Sequence, residues 1–355
     1  MEPYRAERVS LDYKIDKELL ILLSEANQKY GEYKGILDTL EFDSKYFLDL
    51  VLLNESYNST RIEGTRISQD KMYYLKYLDR NDEILEIENL KSAIEYGYKS
   101  IYEEKGISIN LVNQMHKILL NTIKGTAKSP GQIRTVQNWI GVQGTSIKEA
   151  IFVPPAPDDI VNMLSNLYEY MNDAFIDPLL INIAISHAQF ETIHPYKDGN
   201  GRLGRALIPV QMAYLDNTKP ILYLSEVIEL YKPSYQRNLM ESRRDNLVGF
   251  IKFFLQCVIE QCTVYISKLN RMKEIYKEDM EKIRVFRDNS SVYEIMYTIM
   301  QLVVFTKKEV QDETSLSLNI VSNTVDKLID IGVVIKDNSV IGNGYRYENL
   351  YNLFK

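Results

Sequence analysis

The residues best suited to chemistry lie in one short run, His194-Pro195-Tyr196-Lys197-Asp198-Gly199-Asn200-Gly201-Arg202-Leu203-Gly204-Arg205, which joins two apolar stretches. Pro195 disfavours helical geometry at His194, so a helix should end there with the imidazole facing outward. Gly199 and Gly201 allow backbone angles that other residues resist, just ahead of the next helix. Successive amides there, backed by the positive end of a helix, form a concave anion site. Asp198 offers a hard oxygen ligand for a phosphate-bound Mg²⁺. Arg202 and Arg205 stand three apart on one helical face, where two guanidinium groups can grip a polyphosphate. His194 is the group in this run that accepts a proton near neutral pH. The run therefore points to phosphate-group transfer from a nucleotide, with histidine as base.

Helices must position these groups, because helical periodicity dominates the chain. Residues 15–29, 47–62, 84–103 and 111–120 carry apolar residues at three-and-four spacing. Long helices resume over 158–172, 178–193 and 201–214, with two or three more between 226 and 284. Extended segments are few. Residues 135–140 and 150–153 are apolar runs on either side of a loop bearing Gly141 and Gly144, and they read as a hairpin ended by Pro154 and Pro155. The expected fold class is all-α with one small hairpin.

Composition narrows the options. At 355 residues the chain exceeds what one core usually holds. Hydrophobic residues at 45% and charged residues at 26% match an ordinary globular protein. A net charge of −7 argues against a chain built to coat nucleic acid or anionic membrane. Three histidines (His116, His187, His194) and two cysteines (Cys257, Cys262) exclude a disulfide framework and a Cys-rich zinc module. The start, Met1-Glu2-Pro3-Tyr4-Arg5, lacks the apolar stretch of a secretory signal. The longest apolar run, 247–259, is interrupted by Lys252 and is short for a bilayer, so the expectation is a cytoplasmic protein with no membrane partner. His116 reads as a partly exposed residue of an amphipathic helix, and His187, two turns before His194, as a core residue. The two cysteines read as buried apolar thiols.

The last sixty-odd residues change character. Helical segments at 292–303 and 319–331, with a third from Thr306-Lys307-Lys308-Glu309 between them, precede two short β-like runs, 333–336 and 345–347, around Gly342-Asn343-Gly344. The polar residues 287–290 mark the boundary before them. Three helices and a hairpin resemble a winged helix-turn-helix. Its six basic residues are outnumbered by eight acidic ones over 291–355, and the would-be recognition helix carries Asp326 and Asp330 with a single Lys327. A groove-reading helix needs a basic footprint, so a protein-docking or dimer module is the favoured reading over DNA binding.

The run from His194 to Arg205 resembles the signature of the Fic (filamentation induced by cAMP) family, His-Pro-Phe-x-(Asp/Glu)-Gly-Asn-Gly-Arg-x-x-Arg. Eight fixed positions match: His194, Pro195, Asp198, Gly199, Asn200, Gly201, Arg202 and Arg205; Tyr196 replaces the usual Phe. Residues 185–191 resemble the family's core helix, and the likeness extends over about 30–262. The resemblance implies protein adenylylation, in which ATP donates AMP to a Ser, Thr or Tyr hydroxyl of a target protein and pyrophosphate leaves. His194 would deprotonate the hydroxyl, Asp198 would hold Mg²⁺, and Gly199, Asn200, Gly201 and Arg202 would line the anion hole. Arg205 would reach the γ-phosphate, and Tyr235 resembles a family tyrosine near the nucleoside. In the family a flap pairs with the target's backbone, and here it would run through Ile147, Lys148, Glu149, Ala150, Ile151 and Phe152.

Ser59-Thr60-Arg61-Ile62-Glu63-Gly64 resembles the family's inhibitory motif, (Ser/Thr)-x-x-x-Glu-(Gly/Asn). Ser59 and Glu63 are four apart and share a helical face, where the hydroxyl can steady the carboxylate. Gly64 suits the left-handed residue that ends a helix. Glu63 would pair with Arg205 in place of the γ-phosphate.

The expected organisation is a helical region with the brake (1–105), a catalytic core (106–284) and a winged-helix-like part (285–355). Two other readings stay open. One is a transferase of the same fold that moves phosphate or phosphocholine; the other is a non-catalytic DNA-binding regulator. The target protein is left unidentified, and self-modification and a homo-oligomer fit the reading.

Overall fold

Apolar residues at helical spacing coil most of the chain into helices, as a computed structural model describing residues 2–4, 9, 13–141, 146–286, 290–340 and 343–355 shows. The chain divides into two compact units. Residues 1–32, 55–66 and 81–262 form the first, and residues 33–54, 67–80 and 263–355 the second.

In chain order the helices begin with α1 (Lys17–Asp38), α2 (Lys45–Ile62), α3 (Asp82–Ser100) and α4 (Ile109–Leu119). They continue with α5 (Ile160–Asn172), α6 (Leu179–Ile193), α7 (Asn200–Leu215), α8 (Ser225–Leu230), α9 (Lys232–Ser242) and α10 (Leu247–Ile283). Side-chain caps set two of the starts: Asn81 accepts the amide of Ile84 ahead of α3, and Ser108 that of Leu111 ahead of α4. Within the first unit α3 packs on α4 and α7, and α6 on α5 and α7. α6 is apolar nearly all round and buried nearly all round, as a central helix must be. Its end and the start of α7 bound the loop that holds His194 and Asp198.

The expected hairpin is reduced to one antiparallel bridge, between Ile140 and Phe152. Ile147–Glu149 form a 3₁₀ turn, closed by a capping box between Ser146 and Glu149. The reason is local. Side chains take carbonyls that a ladder would have used: Gln137 donates to the Pro154 carbonyl, and Arg134 to those of Val136 and Pro155. Gly144 of the expected loop lies outside the described residues.

The apolar run at 247–259 continues as helix through Ile283, so α10 has the length and hydropathy of a membrane span. Its Phe250, Ile251, Phe254, Leu255 and Val258 are buried in protein, the arrangement of a core helix. Cys257 and Cys262 are buried free thiols, as expected.

In the second unit, α11 (Ser290–Leu302), α12 (Lys307–Thr314) and α13 (Leu318–Asp330) are followed by α14 (Glu348–Phe354). The expected hairpin forms from β2 (Val334–Asp337) and β3 (Gly344–Tyr347). An unexpected strand, β1 (Val304–Thr306), pairs with the other edge of β3, giving an antiparallel sheet of order β1-β3-β2. Three residues are too few for periodicity to reveal. The polar boundary at 287–289, and Gly342, lie outside the described residues.

Candidate active site

The loop between α6 and α7 is built as its sequence demands. His194 ends α6 in the left-handed region, φ 50°, with its amide still bonded to the Phe190 carbonyl at 3.0 Å. Gly199 turns the chain into α7 at φ 78°. The Asn200 side chain accepts the Tyr196 amide and donates to the Tyr196 carbonyl, both at 2.9 Å, which pins the loop between Pro195 and α7. Asn200 can therefore offer an anion its main-chain amide, its side chain being committed. The first-turn amides of α7 have no carbonyl one turn back to bond, so they point out of the helix end as donors.

Asp198 lies at the rim with 43% of its side chain exposed, flanked by Arg202 Nη2 at 3.6 Å and Lys128 Nζ at 3.7 Å. Arg202 is buried beside Glu86, 3.3 Å away. Its Nη1 makes that pair, while its Nε finds no hydrogen-bond acceptor among the described residues and is a donor a phosphate oxygen can take.

His194 Nδ1 is buried and faces the Glu191 carbonyl without reaching hydrogen-bond geometry. Burial, then the charges of Arg243 and Arg134, bring its pKa down to about 4, against the weaker pull of the Glu191 carbonyl and Glu63. The imidazole is thus neutral at pH 7, the form that accepts a proton.

Glu63 follows the last turn of α2, and Gly64 behind it adopts φ 109°. Arg205, 2% exposed, donates from Nη2 to Glu63 Oε1 at 2.7 Å and to the Ser59 carbonyl at 3.0 Å, and from Nε to the Ser59 hydroxyl at 2.9 Å. Ser59 thus steadies the guanidinium, where the sequence suggested it would steady the carboxylate. Partial desolvation opposes the charge on the half-exposed Glu63, but Arg205, with Arg202 and Lys232, outweighs it and holds the carboxyl below its ordinary range. A side chain at Gly201 would meet Glu63 Oε1 at 2.5 Å, so the carboxylate lies directly against the first turn of α7. Three contacts anchor this end of α2: Glu55 with Ser225, Arg61 with Glu229 at 3.0 Å, and Lys232 with the Ile62 carbonyl.

The first unit therefore brings His194, Asp198, Gly199, Asn200, Gly201, Arg202, Arg205, Ser59, Glu63 and Gly64 into one region. The Fic/DOC family model matches residues 106–212, and the Fic/DOC family N-terminal model matches residues 20–99.

The chain belongs to the Fic/DOC family.

Among its relatives, "Protein adenylyltransferase fic-1" of Caenorhabditis briggsae is 29% identical over 144 residues, 40% of this chain and 26% of that protein. "Protein adenylyltransferase Fic" of Drosophila willistoni is 22% identical over 193 residues, 54% of this chain and 35% of that protein. The chain thus spans about a quarter to a third of the length of these relatives. A Fic family protein from Desulfovibrio desulfuricans G20 shares the fold, with a TM-score of 0.59 at 17% identity, over 94% of this chain and 97% of that one. Fic-1 from C. elegans gives 0.53 at 19% identity, covering 71% and 73%.

Around the Fic loop stand residues whose placement the sequence did not reveal. His116 is fully buried, where partial exposure was expected. Its ring stacks on Tyr196 at 3.8 Å. Its Nδ1 accepts the Gly131 amide at 2.8 Å, which forces the proton onto Nε2, and Nε2 donates to the Asp198 carbonyl at 3.0 Å. Burial, the largest influence, brings its pKa to about 4. An apolar helical face carries a buried histidine and a half-exposed one with the same periodicity, so only the loop it meets could have told them apart.

His187 is the core residue expected, and it does more than pack. Its Nδ1 donates to the Gly204 carbonyl at 3.2 Å, so Nε2 accepts the Tyr235 hydroxyl at 2.8 Å. Tyr235 in turn interacts with Arg205. It is buried and hydrogen-bonded to Arg205, which it braces. Glu191 is buried as well, with Oε1 unpartnered among the described residues; its pKa is pushed up to about 7 by burial, against the opposing charge of Arg205. Glu55 is raised to about 7 by burial too, although it accepts two bonds from Ser225. The flap residues Lys148, Glu149 and Ile151 are exposed and Ile147 is half-buried, while Ala150 and Phe152 are buried.

Proposed function

We propose that this chain transfers AMP from ATP to a hydroxyl of a protein, and that Glu63 holds the reaction back. The observation that carries the reading is the loop itself. It sets a histidine held neutral at one end, and the helix-end amides with the unmatched Arg202 Nε at the other. Supporting it, relatives of 22–29% identity bear the name protein adenylyltransferase.

In this reaction the hydroxyl oxygen forms a bond to the α-phosphorus, the bond from that phosphorus to the bridging oxygen breaks, and pyrophosphate leaves with its electron pair. His194 takes the hydroxyl proton. The α7 amides and Arg202 neutralise charge that grows on the phosphate oxygens. Asp198 is a single half-exposed carboxylate, and the described residues hold no cluster of three metal-ligating side chains. That donor set fits Mg²⁺, which is commonly held by one or two carboxylates together with phosphates and waters. When bound it would supply charge neutralisation across the phosphates. Glu63 occupies Arg205, the group otherwise free to take the γ-phosphate, and so misplaces the α-phosphate relative to His194.

The C-terminal block fits a docking role in the same proposal. The exposed side of α13 shows Leu318, Ile320 and Asp326, and Lys307 beside it is paired with Asp326 at 2.7 Å. That surface suits a protein better than a phosphate backbone.

The test uses labelled ATP and Mg²⁺. Glu63→Gly should strengthen self-labelling, the adduct mass should be that of AMP, and adding His194→Ala should abolish the label. Equal label with and without Glu63 would overturn the brake. A phosphate or phosphocholine adduct would overturn the chemistry.

A further inference from the structure

Arg134 is among the most deeply buried side chains of the chain, 1% exposed, and no carboxylate pairs with it among the described residues. Burial brings its pKa only to about 10, so it is a cation at neutral pH. A buried charge without a counter-ion is costly unless dipoles surround it. Here the dipoles are four main-chain carbonyls, which come from two places. At the end of α6, Nε donates to the His194 carbonyl at 3.0 Å and Nη2 to that of Ile193 at 3.5 Å. At the base of the flap, Nη1 donates to the Val136 carbonyl at 3.3 Å and Nη2 to that of Pro155 at 2.6 Å. The Arg134 amide adds a bond to the Pro195 carbonyl at 2.9 Å.

Those contacts explain two features at once. His194 holds a left-handed conformation that a non-glycine residue adopts only under constraint, and the carbonyls on both sides of its link to Pro195 are tied to Arg134. The two arms of the flap form a single bridge with each other, and the same guanidinium gathers both at their base. A second tie, from Asn138 Nδ2 to the Tyr196 carbonyl at 3.1 Å, runs the same way.

We propose that Arg134 is the positioning residue that sets His194 relative to the flap, and hence the base relative to the hydroxyl of a docked segment. The inference rests on the transfer reaction proposed above. Arg134 touches neither nucleotide nor target; it acts through the His194 carbonyl. It is specific to the geometry of attack and leaves the phosphate-binding turn of α7, pinned by Asn200, in place.

The experiment compares Arg134→Lys and Arg134→Ala with their parent, all carrying Glu63→Gly in the full-length chain. Maximal self-labelling rate and the ATP concentration for half-maximal rate are measured, the fold being checked by thermal unfolding. Arg134→Lys reaches fewer carbonyls and should lower the maximal rate by about 10–100-fold, while half-saturation by ATP shifts less than about twofold. Millimolar guanidinium should restore part of the rate to Arg134→Ala and none to Arg134→Lys. A lysine variant as fast as the parent, or ATP half-saturation worsening in step with the rate, would overturn the proposal. If Arg134→Ala unfolds, the lysine variant decides by the same two readouts. A parent that gives no label overturns the transfer reading and this inference with it, whereas a labelling parent with indifferent Arg134 variants overturns the inference alone.

Discussion

Arg205 spends its donors on the end of one helix: Nη2 meets Glu63 Oε1 at 2.7 Å, and Nε meets the Ser59 hydroxyl at 2.9 Å. The pair is asymmetric. Arg205 is 2% exposed while Glu63 keeps 42% of its side chain in solvent, so the carboxylate can leave and the guanidinium cannot follow. In the proposed reaction an ATP γ-phosphate and Glu63 would compete for the same buried cation. Glu63→Gln should keep a hydrogen bond and lose the charge, and so should label faster than the parent and slower than Glu63→Gly. Between the extremes the gain should be on the order of 10²-fold, the penalty for misplacing a reacting group by an ångström. Labelling time courses of the three proteins check the order; a glutamine variant faster than the glycine variant would refute it.

Ser59→Ala separates holding Arg205 from blocking it. The variant deprives a buried guanidinium donor of its acceptor, a loss of about 1–3 kcal/mol. Glu63 still occupies Arg205 Nη2, so the labelling rate should rise far less than in Glu63→Gly. Urea unfolding should show the destabilisation. A variant as stable as the parent would mean that another acceptor takes Nε.

Much of this was legible in the sequence, for identifiable reasons. Helices such as α6 and α7 announce themselves because their apolar residues recur within one turn, and the loop's proline and glycines dictate its turns over adjacent positions. The Glu63–Arg205 pair was legible because each partner lies in its own local pattern. Arg134 and His116 were not. Their roles are set by carbonyls some 60 and 82 positions away, and a main-chain acceptor leaves no mark on residue type. Glu191 was hidden differently: its burial depends on Gly204, where a side chain would meet Oε1 at 2.4 Å. Strand β1 is too short for alternation to show.

His116 predicts a defect opposite to that of Arg134. It fixes the Asp198 carbonyl and stacks on Tyr196, so it supports the Asp198 end of the loop, which the proposed reaction assigns to the phosphates. In the Glu63→Gly background, His116→Ala should raise the ATP concentration for half-maximal labelling by roughly tenfold, with a smaller fall in maximal rate. Titrating ATP at saturating Mg²⁺ measures both. Unchanged half-saturation would show that the loop holds its place without His116.

Glu191 makes stability depend on pH in a direction that can be derived. Its folded pKa, about 7, lies above its ordinary value of 4.5, so between those values the folded chain binds the proton more tightly than the unfolded one. Stability from this group is therefore fully present below about pH 4.5 and is lost as pH rises through 7. The histidines act the other way. His116, His187 and His194, with pKa values of about 4, 3 and 4 against an ordinary 6.5, favour unfolding as pH falls below 6.5. The two trends oppose each other in the parent, so a difference measurement is needed. Glu191→Gln keeps the shape and removes the titration. Its melting temperature should equal that of the parent near pH 4.5 and exceed it increasingly toward pH 8, by an amount corresponding to order 1–3 kcal/mol. The histidine contributions cancel in the comparison because both proteins carry them. A difference that is flat across this range would mean that Glu191 is already charged in the folded protein, with Arg205 or Arg243 as its partner.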